Sequence, residues 1–250
     1  MIITVASGKG GVGKSNFVTN LGLALAGFGV NTVIVDCNLT NGDLGSILGP
    51  PFPKKTLHDV LNENASLREV MFDHPAGVRV ITSGLAVQDP LSVSPKKLKK
   101  ISQKLDGLAD VVLVDAPGTL GENTVESLRI ADKVILITTP EVTSYANALR
   151  TKKVAEKKGV DVLGTVVNKV RGNHRKVEKE AEEWIGTSVL CMLPYDESVI
   201  DAVEYGRPVL HHRPFSEYSV AMRKFGAELA DVEYKPPHLL ERLAARFFRF

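Results

Sequence analysis

Eight residues near the start of the chain carry its most specific chemistry: Gly8-Lys9-Gly10-Gly11-Val12-Gly13-Lys14-Ser15. A glycine, four residues and then Gly-Lys-Ser is the spacing of a loop that cradles phosphates. Glycines let backbone N–H groups turn inward and approach phosphate oxygens with no side chain in the way. Lys14 is placed to neutralise β- and γ-phosphates, and Ser15 to ligate Mg²⁺. The loop follows the apolar run Ile2–Ala6 and opens a segment of helical period at Lys14. A helix beginning there points its positive dipole end at the anion. The candidate cradle is therefore Gly10, Gly11, Val12, Gly13, Lys14, Ser15 and Asn16. Lys9 is an additional cation that the spacing does not require.

Two carboxylates end apolar runs, Asp36 after Val33-Ile34-Val35 and Asp115 after Val112-Leu113-Val114. In an open parallel sheet, ligands bind beyond the carboxyl ends of the strands, so both acids are expected to face the phosphate loop. Mg²⁺ takes oxygen ligands and keeps waters, which makes Ser15, Asp36 and Asp115 the candidate metal set. The plainer role for either acid is a cap in a strand-to-helix loop.

The elements that position these groups follow from periodicity. Continuous apolar runs at Ile2–Ala6, Thr32–Asp36, Val78–Thr82, Val111–Asp115, Val134–Thr138, Leu163–Asn168 and Val189–Leu193 suit strands covered on both faces. Segments of helical period lie between them, at Lys14–Ala26, Asn123–Ile130, Ser144–Lys158 and Arg175–Ile185. Short helices are expected at Thr56–Asn62 and Ser66–Phe72, beyond the helix-breaking Pro50, Pro51 and Pro53. Strand–helix alternation predicts an α/β fold, doubly wound on a mostly parallel sheet.

Residues 1–230 are expected to form one domain and 231–238 a linker, stiffened by Pro236-Pro237. Residues 239–250 form a candidate amphipathic helix. Leu239, Leu240, Leu243, Ala244, Phe247, Phe248 and Phe250 share one half of a helical wheel; Glu241, Arg242, Ala245, Arg246 and Arg249 share the other. An apolar aromatic face opposite arginines suits the surface of an anionic membrane. The alternative is packing on protein.

Bulk properties narrow the classes. The 250 residues, 44% hydrophobic and 24% charged, are ordinary for a folded domain. A net charge of +2 does not by itself argue for nucleic acid, although the clusters Lys152–Lys158 and Lys169–Lys179 keep DNA as a weaker alternative. Cys37 and Cys191 lack metal-site spacing. No apolar run reaches the ~20 residues that span a bilayer. The opening residues lack the charged region of a secretory signal. A peripheral location on the inner face of the cell membrane is expected.

With Lys9 included, the loop resembles the deviant Walker A family, which contains MinD, ParA, the Mrp-type iron–sulfur carriers and nitrogenase iron protein; the tail makes the likeness closest to MinD-type ATPases. The resemblance implies ATP/ADP and Mg²⁺ as ligands and an ATP-bound homodimer in which Lys9 reaches the partner's nucleotide. It implies a Walker B role for Asp115 and a switch loop starting at Gly118. It implies adenine recognition by Asn168, in Asn168-Lys169-Val170-Arg171, and by Pro194 and Asp196, in Leu193-Pro194-Tyr195-Asp196. Pro140-Glu141 resembles the family's Pro-Glu at the dimer face. The implied catalytic set is Lys9, Lys14, Asp36 and position 38.

Position 38 departs from the family. The pattern Asp-x-Asp reads Asp36-Cys37-Asn38 here, and an amide orients a water without accepting its proton. Slow hydrolysis is therefore expected, with Asp43 a nearby carboxylate. Asn16 also stands where the family usually has Thr. The expected function is an ATP-driven membrane switch that recruits an unidentified protein and positions cell-division or other machinery. The alternatives are a ParA-like partition ATPase on nonspecific DNA and a nonhydrolysing ATP-bound scaffold.

Overall fold

The computed structural model describes residues 1–40, 42–49, 53–75, 77–83 and 94–237. Their strands are β1 (Ile2–Ala6), β2 (Thr32–Asp36), β3 (Phe72–His74), β4 (Val78–Ile81), β5 (Val111–Asp115), β6 (Lys133–Thr138), β7 (Asp161–Val170) and β8 (Val189–Pro194). They form one sheet in the order β3-β4-β2-β5-β1-β6-β7-β8. Every neighbouring pair is parallel except β3 with β4. This is the expected doubly wound α/β fold.

All five residues of β1, β2 and β5 are buried, which is why they read as continuous apolar runs. Their side chains still alternate between faces. Ile34 and Leu113 pack with Phe17 and Leu21 of α1 (Lys14–Gly27) and with Met222 and Phe225 of α11 (Glu217–Leu229). Val33, Val35, Val112 and Val114 pack the other way, against Leu57 of α3 (Leu57–Leu61) and Leu98, Ile101 and Leu105 of α5 (Leu98–Leu105). Beyond β6, Leu136 meets Tyr145 of α7 (Val142–Lys157) and Ala181 of α8 (His174–Ile185).

The remaining helices are α2 (Leu44–Leu48), α4 (Leu67–Val70), α6 (Glu122–Arg129), α9 (Glu197–Glu204) and α10 (Val209–His212). Two expectations need correction. The second short helix stops at Val70, and Phe72 instead begins β3, an antiparallel edge strand of three residues that is too short to show alternation. Helices α2, α5, α9, α10 and α11 were not expected. In α11 the buried face includes Ser219, Gly226 and Ala227 beside Tyr218, Met222 and Phe225, which blurs its apolar period.

The chain beyond α11 does not leave the body at once. Tyr234, inside the expected linker, meets Phe28 edge to face at 5.9 Å between ring centroids. The expected amphipathic helix, residues 239–250, lies outside the described residues.

Candidate functional site

Helix α1 begins in a way that suits an anion. Its N-cap is Gly13 at φ 89°, no side chain caps it, and its first turn holds no acidic residue. The free N–H groups of a helix start are orphan donors. At Gly13 the left-handed backbone excludes other residues, and an added Cβ would lie 2.5 Å from Asn168 Nδ2.

Lys14 is buried and its Nζ lies 2.5 Å from Asp115 Oδ1. Asp36 and Asp115 are register partners on β2 and β5, so two buried carboxylates stand side by side. Asp36 Oδ1 accepts the Asn38 N–H at 2.9 Å, and Oδ2 accepts the Ser83 hydroxyl at 2.9 Å. Burial first, then the charge of Asp115, push Asp36 up to about 7; the Asn38 and Ser83 hydrogen bonds and Lys14 act in the opposite direction. One lysine between two carboxylates leaves the group short of positive charge. Among the described residues, Asp115 Oδ2 is buried with no hydrogen-bond partner. These residues fit a divalent cation, with Asp36, Asp115 and the half-buried Ser15 the groups to hold it.

A cleft of ≈ 730 Å³, large enough for a nucleotide, opens over the phosphate loop and Lys14, which contacts Asp115 beneath it. Its walls include Lys9 to Asn16, Asn38, Thr40, Asp43, Gly118 and Asn123. Gly118 backs directly on the phosphate loop: a Cβ there would sit 3.1 Å from Gly10 Cα, so a larger residue would crowd the cradle.

Lys9 does not point freely outward. Its Nζ lies 2.5 Å from Glu141 Oε2 of its own chain, with side chains 37% and 56% exposed. The hydrogen bond and then the charge of Lys9 hold the Glu141 carboxyl below its usual range. An exposed pair like this is worth at most about 1 kcal/mol, so it parks the lysine without locking it.

The residues implied for the base divide. Asn168 is buried against the cradle: Nδ2 donates to Val12 O at 2.8 Å, and Oδ1 accepts the Lys169 N–H at 2.9 Å. Pro194 ends β8 opposite Val170. Asp196 caps α9, taking N–H groups of Ser198 at 2.9 Å and Tyr218 at 3.1 Å. Burial works to raise its pKa, but the hydrogen bonds from Tyr218 and Ser198 outweigh it and lower it. None of these three lies on the wall of the cleft over the phosphate loop. Next to them, the Arg171 guanidinium stacks over Tyr195 at 3.6 Å from the ring centroid.

Sequence reasoning missed Ser83, which holds Asp36. It also missed Thr151, whose hydroxyl donates to Ser7 O at 3.3 Å. Ser83 lies just past the run that forms β4, next to β2, and strand adjacency could have flagged it. Thr151 lies mid-helix, with no local signal.

Comparison with known proteins agrees with this geometry. Residues 3–209 match the family model of the CobQ/CobB/MinD/ParA nucleotide binding domain. An uncharacterized ATP-binding protein of Methanocaldococcus jannaschii is 34% identical over 233 residues, 93% of this chain and 89% of that one. The antiactivator FleN of Pseudomonas aeruginosa is 31% identical over 234 residues, 89% of this chain and 83% of that one. The septum site-determining protein MinD of Pyrococcus horikoshii, solved with Mg-ADP, has a TM-score of 0.85 at 26% identity and covers 100% of this chain and 99% of that one. A match over residues 3–209, most of the chain, places this protein in the CobQ/CobB/MinD/ParA family of nucleotide-binding domains.

Proposed function

We propose that this chain is a slow Mg-ATP-dependent switch of MinD type, which closes as a homodimer on ATP and docks on anionic membrane through residues 239–250. The carrying observation is the buried Lys14–Asp115 contact beside Asp36, beneath an uncapped helix start. Residues 1–230 are the ATPase body, 231–238 the linker and 239–250 the membrane helix.

The residues divide the work. The cradle N–H groups and Lys14 take the β- and γ-phosphates. Ser15, Asp36 and Asp115 hold Mg²⁺, which supplies charge to the phosphate oxygens. Asn38, on the cleft wall, orients the attacking water but does not take its proton, so turnover is slow. Lys9 leaves Glu141 and reaches the phosphates of the partner's nucleotide. Asn168, Pro194 and Asp196 are assigned to the base, beyond the wall of the cleft that holds the phosphates.

One amphipathic helix binds a membrane weakly; two on one dimer gain from effective concentration, so ATP controls membrane residence. The relatives' names, septum site-determining protein and antiactivator, support a switch that positions or restrains other machinery through a recruited protein. Partition on DNA is less favoured. The basic clusters are partly neutralised one turn on, by Lys152–Glu156, Lys176–Glu180 and Lys179–Glu183 pairs at 3.7, 3.8 and 3.7 Å.

Co-sedimentation with anionic vesicles tests this. The full chain is expected to pellet more with Mg-ATP than with Mg-ADP, and a variant carrying Phe247→Glu and Phe248→Glu to stay in solution. Equal pelleting of the two chains, or none in either nucleotide, contradicts the membrane assignment.

A further inference from the structure

Among the described residues, three that are not glycine have positive φ: Glu63, Lys169 and Asp231. Glu63 and Asp231 each come just after a helix end, an ordinary place for a left-handed residue. Lys169, at φ 60°, lies inside a strand, β7. A lysine held there is strained, and such strain persists where the surroundings enforce it, commonly beside a functional site.

The local ladder shows what the strain achieves. Val167 pairs with Met192 and Val170 with Pro194, so β7 carries one residue more than β8 between these pairs. This is a bulge, and it turns side chains away from their regular faces. In a regular strand Asn168 and Lys169 would point to opposite faces. Here both reach the phosphate loop: Lys169 Nζ donates to Gly11 O at 2.8 Å and Asn168 Nδ2 to Val12 O at 2.8 Å. The Asn168 side chain also accepts the Lys169 N–H, which ties the two together.

Two successive peptide units of the cradle are thus held by their carbonyls. In a trans peptide the N–H points opposite to the C=O. The N–H groups of Val12 and Gly13 belong to these two units, and they therefore face away from the clasp. Lys169 is itself exposed and brings a further positive charge to the loop's outer rim.

We propose that Lys169 is a positioning residue for a bound polyphosphate chain. With Asn168 it clasps the outer carbonyls of the loop, so that the Val12 and Gly13 N–H groups stay aimed at the anion. This rests on the reading of the cleft as a nucleoside triphosphate site. The clasp acts on the phosphates rather than the base, so ATP and inorganic tripolyphosphate should both feel its loss.

Calorimetric titration of the full chain with each ligand, in Mg²⁺, tests it on Lys169→Gly, Lys169→Met and Lys169→Arg. Glycine tolerates the left-handed backbone, so the Gly variant should keep its thermal midpoint within about 3 °C of the wild type. It should nonetheless bind both ligands about tenfold more weakly, as loss of one charge-assisted hydrogen bond implies. Met should weaken both by a similar factor and also lower the midpoint, since the strain stays and the bond goes. Arg should restore binding to within about twofold, as it retains a charged donor. If Gly and Met bind both ligands as the wild type does, Lys169 is structural only and the clasp is wrong. If the wild type itself binds neither ligand, the triphosphate reading falls and the clasp with it.

Discussion

At the scale of single residues, the cleft is built around one charge imbalance. Asp36 and Asp115 are buried together, and among the described residues Lys14 is the cation that answers them, so the group accepts more positive charge. In the proposed function, position 38 governs how fast a bound triphosphate is cleaved. The Asn38 N–H donates to Asp36 at 2.9 Å and its residue lines the cleft. A carboxylate there adds a proton acceptor. Asn38→Asp should therefore raise the steady-state ATPase rate about tenfold, less than a full general base supplies, because phosphoryl transfer relies mostly on positioning. An unchanged phosphate-release rate would remove position 38 from the mechanism. The phosphate loop was legible because its residues are contiguous and each type has one clear use. Glu141 and Lys169 were not legible in these roles. Their contacts, with Lys9 and Gly11, join residues far apart in the chain, and an exposed glutamate or lysine looks like any solvated surface charge.

At the scale of elements, strands were easier to read than the helices that cover them. β1, β2 and β5 are buried on both faces, so their composition alone marks them. Helix α11 is different, because it approaches α1 through small residues. A Cβ on Gly226 would lie 2.8 Å from Ala24 Cβ, and the neighbouring Phe17 and Phe225 rings are 6.0 Å apart between centroids. A glycine in a helix looks like a weak point in sequence, yet here it sets how closely two helices pack. Gly226→Ala tests this against propensity. Alanine favours a helix by up to about 1 kcal/mol over glycine, while overpacking costs about 1–3 kcal/mol. Urea unfolding should show a net loss of stability with an unchanged slope; a gain would mean that the two helices separate freely.

At the scale of the whole molecule, one end of the sheet gathers the groups proposed to bind nucleotide and to respond to it. The cradle, the strand-end acids, Gly118 and the Lys9–Glu141 pair all lie at the carboxyl ends of the central strands, as an open parallel sheet dictates. No helix among the described residues is long and apolar enough to cross a membrane; the proposed membrane contact is peripheral, through residues 239–250. The switch then depends on nucleotide bringing two copies together through Lys9. Sedimentation velocity tests this most directly, with Mg-ATP and with Mg-ADP, on the wild type and on Lys9→Ala. The wild type should double its mass with Mg-ATP only, and Lys9→Ala should stay at monomer mass while still binding nucleotide. A wild type that binds Mg-ATP and remains a monomer, or a Lys9→Ala variant that dimerises equally well, would contradict it.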